Sequence, residues 1–80
     1  MAFVFIERAY AERDSLSDHD LERLRAGLID QVQRYEYTIR NYPPGRMDKH
    51  GKPFLARLHQ KVTDVDATIL ARATAARRNF

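Results

Sequence analysis

Eighty residues carry a formal net charge of +3, a hydrophobic share of 44% and no cysteine. That length holds one domain at most, here residues 1–80, with a small core. The missing cysteines exclude disulfides, thiolate metal sites and a cysteine nucleophile. Such a chain needs very regular helix packing or a second copy of itself.

The opening MAFVFIERAYAER has five consecutive apolar residues, Ala2 to Ile6, before Glu7. That run is too short for a signal-peptide core or a membrane span, so the protein is expected to be soluble and cytoplasmic, with no membrane partner. Phe3, Ile6 and Tyr10 share one face of a helix, although FVFI would also serve as a short strand. The expectation is a short first helix over residues 2–14.

LSDHDLERL is the clearest start signal. Ser17 is a good N-cap, and Asp20, three residues on, can return a bond to the Ser17 amide as in a capping box. Leu16 and Leu21 match a hydrophobic staple across the cap. Asp18, Asp20 and Glu22 suit the positive end of the helix dipole. From there Leu21, Leu24, Leu28, Val32, Tyr35, Ile39 and Tyr42 recur at steps of 3, 4, 4, 3, 4 and 3, one apolar stripe down a long helix. Pro43 disfavours helical geometry at Tyr42, which places the end near Asn41.

The stretch NYPPGRMDKHGKPF follows and is expected to be a loop of roughly ten residues, stiffened by two adjacent prolines. The second long helix is expected to start at Pro53, a residue favoured at the first helical position. Its stripe is Leu55, Leu58, Val62, Val65 and Ile69, continued by Ala73, Ala76 and Phe80. VTDVDAT is the weak point of that helix, because β-branched residues and aspartates lower helix propensity. The stripe nevertheless crosses it without a change of phase.

The sequence therefore predicts an all-α protein: an antiparallel helical hairpin, about 17–41 and 53–78, with a short N-terminal helix. Leu28 and Val65 belong to the seam. Ile29 and Leu70, off the main stripe, need cover, as do Phe3, Phe5 and Ile6. Either the N-terminal segment folds over the hairpin, or two copies pair into a helical bundle; a homodimer is the expectation for so small a chain, with Ile69 adding to the buried set.

No catalytic set is visible. The sequence has no HExxH, phosphate-binding glycine loop or nucleophile elbow. His59, Thr63 and Asp66 could share a helical face, but a polar helix flank explains them more simply. Asp64 and Asp66 point to different sides of a helix and do not make a proton-sharing pair. The expectation is a protein without enzymatic activity, metal or cofactor.

Charge is unevenly placed. Residues 1–42 hold six Arg against eight Asp and Glu, whereas residues 43–61 hold Arg46, Lys49, Lys52, Arg57 and Lys61 against Asp48 alone. Arg46, Lys49, His50 and Lys52 are expected to project from one end of the rod, with Met47 as an adaptable apolar contact. Nearby, RYEYTIRNY interleaves aromatic and basic residues. Tyr35 and Tyr42 are accounted for by the apolar stripe, and Tyr37 lies off it. Tyr37 and Tyr42 with the basic loop are thus the expected partner-binding residues.

The leading functional expectation is a small interaction protein, an adaptor or an inhibitor of a larger protein machine, a build common among regulators of bacteria and their viruses. The alternative is a nucleic-acid or ribosome-associated protein that touches phosphate through the basic loop and the RATAARRNF tail.

Overall fold

In the computed structural model the described residues are 2–78, with side chains from residue 5 onward. They are all-α, without a strand among them. Helix α1 spans Ala2–Ala11, α2 Asp18–Ile39, the single turn α3 Pro44–Arg46 and α4 Lys52–Arg78. A 3-10 turn, Arg13–Ser15, follows α1, and a π turn, Met47–Gly51, joins α3 to α4. No helix among the described residues is long and apolar enough to cross a membrane.

The start of α2 is built as its sequence prescribes. Ser17 is extended, and its Oγ accepts the Asp20 amide at 3.1 Å, satisfying one of the first-turn donors that have no partner inside the helix. Leu16 packs against the core beside Leu21. The return half of a capping box is replaced: the Asp20 carboxylate lies 3.8 Å from Arg23 instead. Aspartate is one methylene shorter than the glutamate that usually makes that bond. At the other end the backbone tightens, the Arg40 amide reaching the Tyr37 carbonyl at 3.4 Å, and α2 ends at Ile39, two residues before Asn41.

The expected loop is a helical approach. Pro44, with Pro43 extended before it, takes the first helical position, and Arg46, Met47 and Lys52 all have right-handed helical dihedrals. Helix geometry therefore runs from Pro44 to Arg78, interrupted only by the π turn in which the Lys52 amide donates to the Met47 carbonyl. Pro53 lies inside this run rather than at its start. It has no amide hydrogen, and in a regular α-helix its ring would press on the Lys49 carbonyl; widening the preceding turn relieves that conflict. Thirty-five residues at 1.5 Å each give about 52 Å, which matches the 54 Å length of the molecule.

Leu21, Leu24 and Leu28 of α2, Val65 of α4, and Ile6 and Ala9 of α1 form one buried cluster, flanked by half-buried Tyr10, Leu16, Val62 and Ile69. Val32, Ile39 and Leu58 are buried as well. Polar pairs between α2 and α4 step forward along one helix and backward along the other. Arg72 donates to Asp18 at 3.0 Å, Arg25 to Asp66 at 2.5 Å, and the Tyr35 and Phe54 rings lie 4.6 Å apart. α4 crosses VTDVDAT without a break. The N-terminal segment is helical but shorter than expected, ending at Ala11 with the 3-10 turn after it.

Not every apolar residue singled out in the sequence is covered. Ala73 and Ala76 are exposed, because Arg72 already lies opposite the first turn of α2 and the chain beyond has no α2 left to pack on. Leu70 is 67% exposed, and Phe5 is 38% exposed with the Arg23 guanidinium 5.0 Å from its ring centroid. Ile29 and Ile69 are half-buried. The side chain of Phe3, and Phe80 as a whole, lie outside the described residues.

Candidate partner-binding surface

The basic end is held by contacts between the last turn of α2 and the π turn. Gly51 is buried there: a Cβ at this position would lie 2.7 Å from the Met47 sulfur and 3.6 Å from side-chain carbons of Ile39 and Tyr42. A glycine lets the turn approach that closely. Met47 is half-buried, with its sulfur over the Gly51 backbone. The Arg46 guanidinium stacks 4.4 Å from the Tyr42 ring centroid. Tyr42, Gly45, Arg46, Lys49 and His50 border one open depression of about 590 Å³. Lys52 lies 3.3 Å from Asp48, so its charge is partly matched.

Tyr37 stands apart from this group. It is 72% exposed, and its ring lies 5.4 Å from the Arg40 guanidinium carbon. Two residues along a helix turn it roughly 200° from Tyr35 and Ile39, the residues that face α4. The structure brings Tyr42, Arg46, Lys49 and His50 together and leaves Tyr37 on the outer face of α2.

A second feature is a groove of about 350 Å³ with an apolar floor of Ile6, Tyr35, Phe54 and Leu58. Burial, more than any charge, raises the Tyr35 phenol above its ordinary pKa. Its hydroxyl reaches the His50 carbonyl only at 3.5 Å, the outer limit of a hydrogen bond. Phe54 was not singled out in the sequence; its position beside Pro53, off the main stripe, was the available signal.

The polar residues weighed for chemistry have structural partners. The Tyr10 hydroxyl donates to Asp64, which also accepts from Gln60 at 2.9 Å. These bonds, the Tyr10 one foremost, hold the Asp64 carboxyl below its usual pKa, and the same bond raises that of Tyr10. Arg13 and Lys61 lie 4.5 and 5.4 Å from the centre of the Tyr10 ring. Asp66 is engaged by Arg25. Asp64 therefore ties α4 to α1, and Asp66 ties it to α2. Of His59, Thr63 and Asp66, the Thr63 hydroxyl donates to the His59 backbone carbonyl at 3.1 Å, and Asp66 is held by Arg25. Among the described residues no three acidic or histidine side chains converge as a metal site would require. Of the tail, Arg72 is anchored to Asp18 and to the Asp14 carbonyl, while Arg77 and Arg78 are exposed.

The chain matches no protein-family model, no curated protein and no solved structure.

Proposed function

We propose that the chain is a small non-enzymatic interaction protein of the cytoplasm, an adaptor or an inhibitor of a larger protein machine. It would bind its partner through the basic end of an antiparallel helical hairpin. The observation that supports this most is the Tyr42–Arg46 stack beside exposed Lys49 and His50, carried on a helical turn locked against Ile39 through Gly51. Side chains held on a stiff support lose little entropy when a partner binds them. Arg46→Glu together with Lys49→Glu should weaken a partner recovered with the tagged protein by about ten-fold or more, through slower encounter and an unmatched opposing group. Helicity and melting temperature should hardly move, since exposed charges contribute little to folding. Calorimetric titration of the purified partner against parent and variant measures this; equal affinities would reduce the basic end to a turn.

The two arginine–tyrosine stacks, Arg40 on Tyr37 and Arg46 on Tyr42, also support a second reading, binding of nucleic acid through phosphate and stacked bases. In that case affinity for a single-stranded oligonucleotide would fall steeply with salt, and less steeply in the double variant.

We also propose that two copies associate into a bundle, with Phe5 and Leu70 under cover. Their exposure in the single chain supports this. Light scattering on a sizing column should give twice the chain mass at micromolar concentration; a clean monomer would exclude the dimer.

A further inference from the structure

The depression at the basic end is bordered by Tyr42, Gly45, Arg46, Lys49 and His50, with no carboxylate on its lining. Arg46, Lys49 and His50 are all exposed. Lys49 and His50 follow Arg46 by three and four residues, one turn along the helical run. Side chains so placed have Cβ atoms about 5–6 Å apart. The one acid of the same stretch, Asp48, lies 3.3 Å from Lys52, and neither borders the depression. Among the described residues no carboxylate makes an ion pair with Arg46, Lys49 or His50.

Arg46 is held without spending its donors. Its guanidinium lies over the Tyr42 ring, 4.4 Å from the centroid. That contact does not use the N–H groups, which can take a carboxylate in a two-bond fork. Gly45 forms another wall, and a Cβ there would meet no atom within 4 Å. We infer that the depression takes an extended acidic segment of the partner protein, with Asp or Glu at alternate positions facing Arg46, Lys49 and His50. Alternate side chains of an extended chain lie about 7 Å apart on one face, close to the spacing of these donors. This rests on the reading of the basic end as the partner-binding site, and it names the partner's chemistry. Nucleic acid fits less well. Binding a strand without sequence preference draws on many phosphates in a row, and two full charges beside one imidazole make a short track.

Two synthetic peptides with blocked ends, one of Glu-Ser and one of Gln-Ser repeats, make the test; each has about eight residues, roughly 26 Å when extended. They are titrated into the isotope-labelled full chain and followed by NMR. The parent should bind the glutamate peptide at least about ten-fold more tightly, with amide shifts centred on residues 42–50. Gly45→Glu sets a carboxylate on the open wall and should weaken that binding about ten-fold relative to Gly45→Gln. Gly45→Lys should tighten it. Ala75→Glu is the control, an exposed position about 37 Å beyond His50 along α4. It changes net charge by the same amount as Gly45→Glu and should keep the parent's affinity. Circular dichroism confirms that each variant is folded.

Equal affinity for the two peptides, no binding of the glutamate peptide at millimolar concentration, or shifts centred elsewhere would overturn the inference. So would a loss in Ala75→Glu as large as in Gly45→Glu, or equal binding by Gly45→Glu and Gly45→Gln. Tighter binding of an oligothymidine of matching charge would overturn it too, since the occupant would then be nucleic acid. The recovered partner is a separate readout. If Arg46→Glu with Lys49→Glu releases that partner while the two peptides bind equally, the basic end still binds a protein and only the acidic segment is excluded.

Discussion

Leu28→Asp should leave the protein unfolded at neutral pH and room temperature. Leu28 is 0% exposed, in a cluster drawn from α1, α2 and α4. Losing its burial removes about 1.5–3 kcal/mol. Placing an unpaired carboxylate there adds several kcal/mol more, because the charged form must either lose its water or force the helices apart. Folded domains are stable by roughly 5–15 kcal/mol, and a chain this short belongs near the lower end. The expected far-ultraviolet spectrum is therefore that of a largely disordered chain. Leu28→Ala, costing about 2–5 kcal/mol, should fold with a lowered melting temperature. A Leu28→Asp protein that melts like the parent would mean the seam is elsewhere.

Gly27→Leu should be the other severe change, for a reason visible only in three dimensions. Ile6 of α1 rests on the backbone of α2 at Gly27, where an added Cβ would lie 3.0 Å from the Ile6 Cδ1 and 3.3 Å from its Cγ1. With alanine, two effects oppose each other. The helix gains about 1 kcal/mol in propensity over glycine, and the end of the Ile6 side chain must shift by a few tenths of an ångström. Gly27→Ala should consequently stay within about 1 kcal/mol of the parent. Leucine keeps most of the propensity gain but drives its whole side chain into the space of Ile6, an overpacking cost of about 1–3 kcal/mol with α1 displaced. Urea unfolding of the two variants should separate them clearly, and Ile6→Ala in the leucine background should recover part of the loss. Wild-type stability in Gly27→Leu would show that α1 does not dock on that face.

The seam on α2 was legible because a strong cap fixes its phase and large apolar residues then hold it for five turns; Leu21, Leu24, Leu28, Val32 and Ile39 are all buried. The start of the second helical run was not. Pro44 and Pro53 are each acceptable first residues, and the local sequence does not distinguish them. The π turn that makes room for Pro53 leaves no mark in the local sequence. Ala73 and Ala76 keep the period but fall beyond the end of α2, which depends on where the two helices are aligned. The basic cluster of Arg46, Lys49 and His50 was legible from composition alone. The packing of the Met47 sulfur over Gly51 was not, because nothing in the local sequence brings the two together. The groove floored by Ile6, Tyr35, Phe54 and Leu58 was hidden altogether, since its lining comes from α1, α2 and α4 together.

The slenderness of that first helix has a consequence for how the molecule breathes. Among the described side chains α1 contributes Ile6 and Ala9 to the buried set, while α2 and α4 share Leu21, Leu24, Leu28, Val32, Ile39, Leu58 and Val65. Local openings are cheapest where few apolar side chains are held, so α1 should detach as a unit far more often than the whole chain unfolds. Its amide hydrogens would then exchange with solvent well ahead of those at the middle of α2 and α4. Each opening briefly wets the leucines that Ile6 and Ala9 cover, so the propensity of concentrated samples to clump should track the closing equilibrium of α1 rather than the global melting point.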